Sequence, residues 1–128
     1  MIRLTFGIAS SLLLLANTPS FKPPDLIPVG QGKDGFEYFL KHDRQLRISH
    51  TIGSFTLVAP LDPHRRAGIT SYRIFERVNC KERTSIYREK TTYFEDSEPY
   101  TSAAETQEIP IESGTPSARA FSIVCSPR

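Results

Sequence analysis

Two cysteines, three histidines and a scatter of carboxylates are the residues of this 128-residue chain whose types could do chemistry. His42-Asp43 and Asp62-Pro63-His64 each set an imidazole beside a carboxylate, the pairing that orients a general base. Neighbours in sequence rarely face one another productively, and both groups fall in turn-like stretches. No serine stands in a Gly-x-Ser-x-Gly elbow, so solvated turn residues are the preferred reading. His50 stands alone, and without a paired histidine spacing there is no zinc or haem pattern. Cys80 and Cys125 form no Cys-x-x-Cys and have no histidine at ligand spacing, which disfavours a reactive or metal-binding thiol. The expectation is a chain without catalytic residues, metal or cofactor.

The basic residues are the other candidates. Arg65 and Arg66 make a small knot with His64, and Arg73, Arg77, Lys81, Arg83, Arg88 and Lys90 follow at close intervals. Such a set can bind an acidic partner or a glycan. It can equally be the solvent face of an antiparallel sheet, paired across strands with Glu76, Glu82 and Glu89, and that is the preferred reading. Tyr72, Tyr87, Tyr93 and Tyr100 read likewise as sheet packing. Sixteen Lys and Arg against fourteen acidic residues leave a formal charge of +2, which gives no electrostatic reason to expect nucleic acid. There is no Gly-rich phosphate loop, heptad array or internal repeat.

The elements that must position these residues begin after a leader. Met1-Ile2-Arg3 gives a charged start, and Leu4 to Ala16 is uncharged and carries four consecutive leucines, Leu12 to Leu15. This reads as a secretory signal over residues 1–20, cleaved after Ala16 or Ser20. The apolar run is shorter than the roughly 20 residues of a membrane-spanning helix, so a permanent anchor is the weaker reading. Residues 21–35, with Pro23, Pro24, Pro28 and several glycines, read as an extended spacer. Residues 36–128 are then one small domain in a periplasmic, secreted or cell-surface setting.

Within that domain, Phe36 to Leu40, Leu46 to Ile48 and Ser54 to Ala59 are β-prone, the last ended by Pro60-Leu61-Asp62-Pro63. Ile69 to Cys80 alternates. Tyr72, Ile74, Val78 and Cys80 share one face with Glu76 as a polar interruption, and Arg73, Phe75 and Arg77 lie on the other. Thr84 to Phe94 pairs back on it across Lys81-Glu82-Arg83 as a hairpin. Asp96 to Glu108 reads as a long, mobile polar loop. Thr115-Pro116 is a helix start, threonine as cap and proline at the first helical position. Ala118, Phe121 and Cys125 follow at spacings of three and four with Val124 beside them, forming a face that docks on the sheet.

In an exported domain with only two cysteines, a disulfide between Cys80 and Cys125 is the simplest outcome. The fold class is therefore α+β, a small antiparallel sheet with a C-terminal helix tethered by one disulfide.

Ser71-Tyr72-Arg73-Ile74-Phe75-Glu76-Arg77-Val78-Asn79-Cys80-Lys81-Glu82-Arg83, then Ile111-Glu112-Ser113-Gly114-Thr115 and Phe121-Ser122-Ile123-Val124-Cys125, resembles the surface-adhesin protein E family. The resemblance spans about Phe36 to Cys125, and those segments are its specific part. It implies a compact sheet with a disulfide-tethered terminal helix, exported by a bacterium and acting as a non-enzymatic binding module. For some members it also implies attachment to host extracellular-matrix proteins, so the expected partner is a matrix or envelope protein. No binding residue transfers by position. A small periplasmic inhibitor of a lytic enzyme, also a disulfide-closed β domain, is the alternative.

Overall fold

The computed structural model describes residues 26–41, 46–62, 64 and 67–127. The expected leader, His42, Asp43, Arg65 and Arg66 lie outside the described residues. The strands are β1 (Leu26–Gln31), β2 (Glu37–Lys41), β3 (Leu46–Arg47), β4 (Ile52–Pro60), β5 (Ile69–Asn79), β6 (Thr84–Phe94), β7 (Tyr100–Thr101) and β8 (Ile109–Pro110), followed by helix α1 (Pro116–Val124). They form one antiparallel sheet of order β1-β2-β4-β5-β6-β7, with β3 also on β4 and β8 also on β6. The α+β architecture is the one expected from the sequence.

Period-two alternation explains which side of the sheet is core. Leu40 pairs with Leu57 and Leu57 with Ile74, so their side chains point to the same face. There they join Tyr38, Phe55 and Val78 against Ala118, Ala120, Phe121 and Val124 of α1, all buried. The β5–β6 hairpin turns where expected. Asn79 Oδ1 accepts the backbone N–H groups of Lys81 and Glu82, each at 2.9 Å, a side-chain turn that leaves Cys80 at the end of β5.

The helix is held at both ends. Thr115 Oγ1 accepts the N–H of Ala118 at 3.1 Å and donates to the Glu112 carbonyl at 2.7 Å, with Pro116 at the first helical position. We expect Thr115→Ala to lower stability by about 1 kcal/mol, read from a urea midpoint, because it orphans a helix N–H. At the other end, the Arg47 guanidinium donates to the carbonyls of Ser49 and His50 at 3.1 and 3.0 Å and of Val124 and Ser126 at 3.4 and 3.3 Å. A cation there complements the negative end of the helix dipole. Cys80 and Cys125 are disulfide-bonded, their Cα atoms 5.4 Å apart, which joins the end of β5 to the residue that caps α1.

Two expectations about organisation are corrected. Residues 26–31 fall inside the stretch read as a spacer, yet they form β1, paired with β2 and burying Val29. Pro28 is tolerated because β1 is an edge strand, and the register shift between Pro28 and Gly30, where Gly30 has φ 103°, absorbs the local irregularity. The polar segment from Asp96 to Glu108 does not stand away from the domain as a free loop. It is stitched along β6: Tyr100–Thr101 pair with Thr92 and Thr91, and Arg88 and Glu105 exchange backbone hydrogen bonds at 2.9 and 2.8 Å. Ile109–Pro110 then pair with Ser85 and Thr84, so the edge of β6 is covered along much of its length.

Candidate functional site

The helix covers one face of the sheet. On the opposite face the same alternation sets Arg73, Phe75 and Arg77 of β5 against Thr91, Glu89 and Tyr87 of β6. Thr56 and Val58 of β4 continue the surface beside Phe75 and Arg73, and Phe39 of β2 lies beside Val58. A cleft of about 320 Å³ on this face is lined by Lys41, Thr56, Arg73, Phe75, Glu89, Thr91 and Tyr93.

Its geometry is set by aromatic rings holding cations. Phe75 and Tyr87 meet edge to face with centroids 5.9 Å apart, and the Arg77 guanidinium lies 5.8 Å from each ring. Arg73 lies over Tyr93 at 4.8 Å. Stacking of this kind keeps a guanidinium extended over apolar surface while its N–H donors face outward. The Tyr87 hydroxyl donates to Glu89 Oε1 at 2.8 Å, and this bond, more than the partial burial of the ring, pushes the phenol above its usual pKa. The surface that results is cationic and aromatic, the composition enriched at the energetic centres of protein interfaces.

The cross-strand charge pairing expected for this region is replaced by these contacts. Among the described residues the ion pairs are Lys33–Glu112 at 2.8 Å and Arg88–Glu105 at 4.0 Å. Glu89 takes a tyrosine hydroxyl. Glu76 lies on the core face, only 3 % exposed, where its Oε1 accepts from Ser117 Oγ at 2.8 Å. Arg83 and Lys90 also stack, over Phe121 at 5.1 Å and Tyr72 at 4.0 Å. The physical reason is neighbour geometry: β5 and β6 set Phe75, Tyr87 and Tyr93 next to the basic residues. Their faces compete with carboxylates that are better solvated alone.

Compared with models of known protein families, with curated proteins and with solved structures, the chain matches none. Its function must be argued from its own residues.

The remaining candidates separate. Cys80 and Cys125 are joined, and their thiols are consumed by the bond. Asp62 Oδ1 accepts the backbone N–H of His64 at 3.1 Å, so this carboxylate closes a turn. His50 is exposed and its carbonyl is held by Arg47. Among the described residues no group of three or more His, Cys, Asp or Glu converges as metal ligands would, and no helix is long and apolar enough to cross a membrane. Sequence reading missed the stacked arrangement, although the signal was present: Arg73, Phe75 and Arg77 alternate on one strand, opposite Tyr87 and Tyr93.

Proposed function

We propose that the chain is an exported, non-enzymatic binding module of the surface-adhesin protein E kind, which docks an acidic patch of an extracellular-matrix or envelope protein on the open face of its sheet. The observation that carries this reading is the cleft beside Phe75. Among the described residues, the Arg73 guanidinium and the rings of Phe75 and Tyr93 line it beside the Glu89 carboxylate, and Arg77 stacks on Phe75 next to it. Export is supported by the leader pattern over residues 1–20 and by a disulfide, which persists in oxidising compartments.

The test is capture on the immobilised chain from separate pools of envelope proteins, host matrix proteins and lysozyme-type enzymes, repeated with Arg73→Glu/Arg77→Glu. Both arginines are exposed, so the double variant keeps the fold. It is expected to weaken binding of a matrix or envelope protein by at least about tenfold, since reversing charges places like against like at the contact. Binding undiminished in the variant removes the open face from the reading. Enrichment of lysozyme-type enzymes replaces adhesion with inhibition, and enrichment of nothing counts against both.

A further inference from the structure

A second cavity lies on the helix side of the sheet, independent of the open face. Its volume is about 400 Å³, and it sits between the β1–β2 turn, the chain entering α1 and the floor formed by β4, β5 and β6. Leu57, Ile74, Ile111 and Pro116 give it apolar walls. Glu76 and Ser85 line it as well, though they are only 3 % and 4 % exposed.

The charged groups around it are almost all satisfied by one another. Lys33 and Glu112, both exposed, pair at 2.8 Å across its rim, and Arg88, which lines the cavity opposite Glu76 in the β5–β6 register, lies 4.0 Å from Glu105. Asp34 accepts the Phe36 N–H at 3.1 Å and the Tyr38 hydroxyl at 2.8 Å. Burial, reinforced by that hydrogen bond to Asp34, pushes the Tyr38 phenol far above its usual pKa, so the hydroxyl keeps its proton and goes on donating to the Asp34 carboxylate. A side chain at Gly32 would place its Cβ 2.9 Å from the Tyr38 ring, so glycine keeps this wall in place. Glu76 is the exception. Ser117 Oγ binds Oε1, and the other carboxylate oxygen receives no hydrogen bond from a described residue; the same is true of the Ser85 hydroxyl. A buried carboxylate oxygen without a protein donor gains from a donor that enters the cavity.

The geometry points to a ligand site in which Glu76 receives a cationic nitrogen carried on a short apolar body: an alkylammonium, whether a free small amine or the side chain of a lysine on a partner. The apolar walls take the carbon chain, the carboxylate takes the charge, and Ser85 accepts or donates a further hydrogen bond. A neutral alcohol of the same shape fills the walls without the charge. A carboxylate of that shape meets Glu76 as a like charge.

The test uses n-butylamine, 1-butanol and butyrate on the full domain, with the backbone amide shifts of Ser85, Ile111 and Ser117 as readout, and tetralysine as the peptide source. Butylamine is expected to give saturable shifts at these amides at least about tenfold tighter than butanol, the scale of one hydrogen bond to a charged group. Butyrate is expected to give none. Glu76→Gln retains an acceptor for Ser117 and is expected to abolish the preference for the amine. Saturation by butylamine alone assigns a free amine, and saturation by tetralysine as well assigns a lysine side chain. Equal binding of amine and alcohol, a preference that survives in Glu76→Gln, or no saturable shift with any probe overturns the site. The comparison of the three butyl probes needs no variant, so it decides even if Glu76→Gln does not fold.

Discussion

Replacing Cys80 and Cys125 together by serine is expected to lower the unfolding free energy by about 4 kcal/mol. The bond closes a loop of 45 residues, and the chain-entropy model gives roughly that value for the freedom restored to the unfolded chain. Against a total of about 5–15 kcal/mol for a typical domain, this is a large fraction. Folded-state losses are local. A helix of nine residues is marginal by itself, so α1 depends on what holds it. Its first turn keeps the Thr115 cap and the Ser117–Glu76 hydrogen bond to the sheet, whereas its last turn keeps packing, the Arg47 clamp and the Ser126 hydroxyl on the Ser122 carbonyl, next to the cut bond. Amide exchange is therefore expected to rise most at Val124 and Cys125 and least at Ala118. Urea denaturation of the double variant checks the magnitude. A midpoint equal to that of the unaltered protein would show that the bond contributes nothing beyond covalent connection.

What was legible in the sequence was whatever local chemistry decides. β5 and β6 alternate and are joined by a four-residue turn, Cys80 to Arg83, so their hairpin follows from period two and turn chemistry. Thr115-Pro116 announces α1 because cap and proline act within one turn. The features that were not legible depend on neighbours remote in sequence. Pro28 argued against a strand, but at an edge its missing N–H removes no ladder bond, and β2 supplies the pairing. The segment from Asp96 to Glu108 lacks the apolar residues that mark a strand, yet its backbone pairs with β6, since ladder bonds do not depend on side-chain type. Arg47 carries no signal at all, as its partners Val124 and Ser126 lie 77 and 79 residues away. Glu76 was visible as a polar interruption on an apolar face. Its burial and its bond to Ser117 were not, because only the docking of α1 brings that hydroxyl within reach.

The same docking predicts the second large effect. Phe121 is buried against the sheet and is the largest side chain that α1 contributes to the core. Phe121→Ala removes that ring and leaves a void between helix and sheet, expected to cost about 3–5 kcal/mol. It also strips the Arg83 guanidinium of the ring it lies over at 5.1 Å. Ile123, on the same helix but 40 % exposed, is the control: Ile123→Ala is expected to change stability by no more than about 0.5 kcal/mol. Combining Phe121→Ala with the cysteine replacements separates two roles of the disulfide. If the bond acts only by restricting the unfolded chain, the losses add. If it also holds α1 in place, they add to less than their sum, because a last turn that is already loosened has less packing to lose at Phe121. The position of Cys125 as the capping residue directly after Val124, with its N–H donating to the Phe121 carbonyl at 2.8 Å, places bond and ring in the same turn. A shortfall from additivity of at least about 0.5 kcal/mol in urea midpoints is therefore the expected result, and strict additivity would confine the disulfide to the unfolded state.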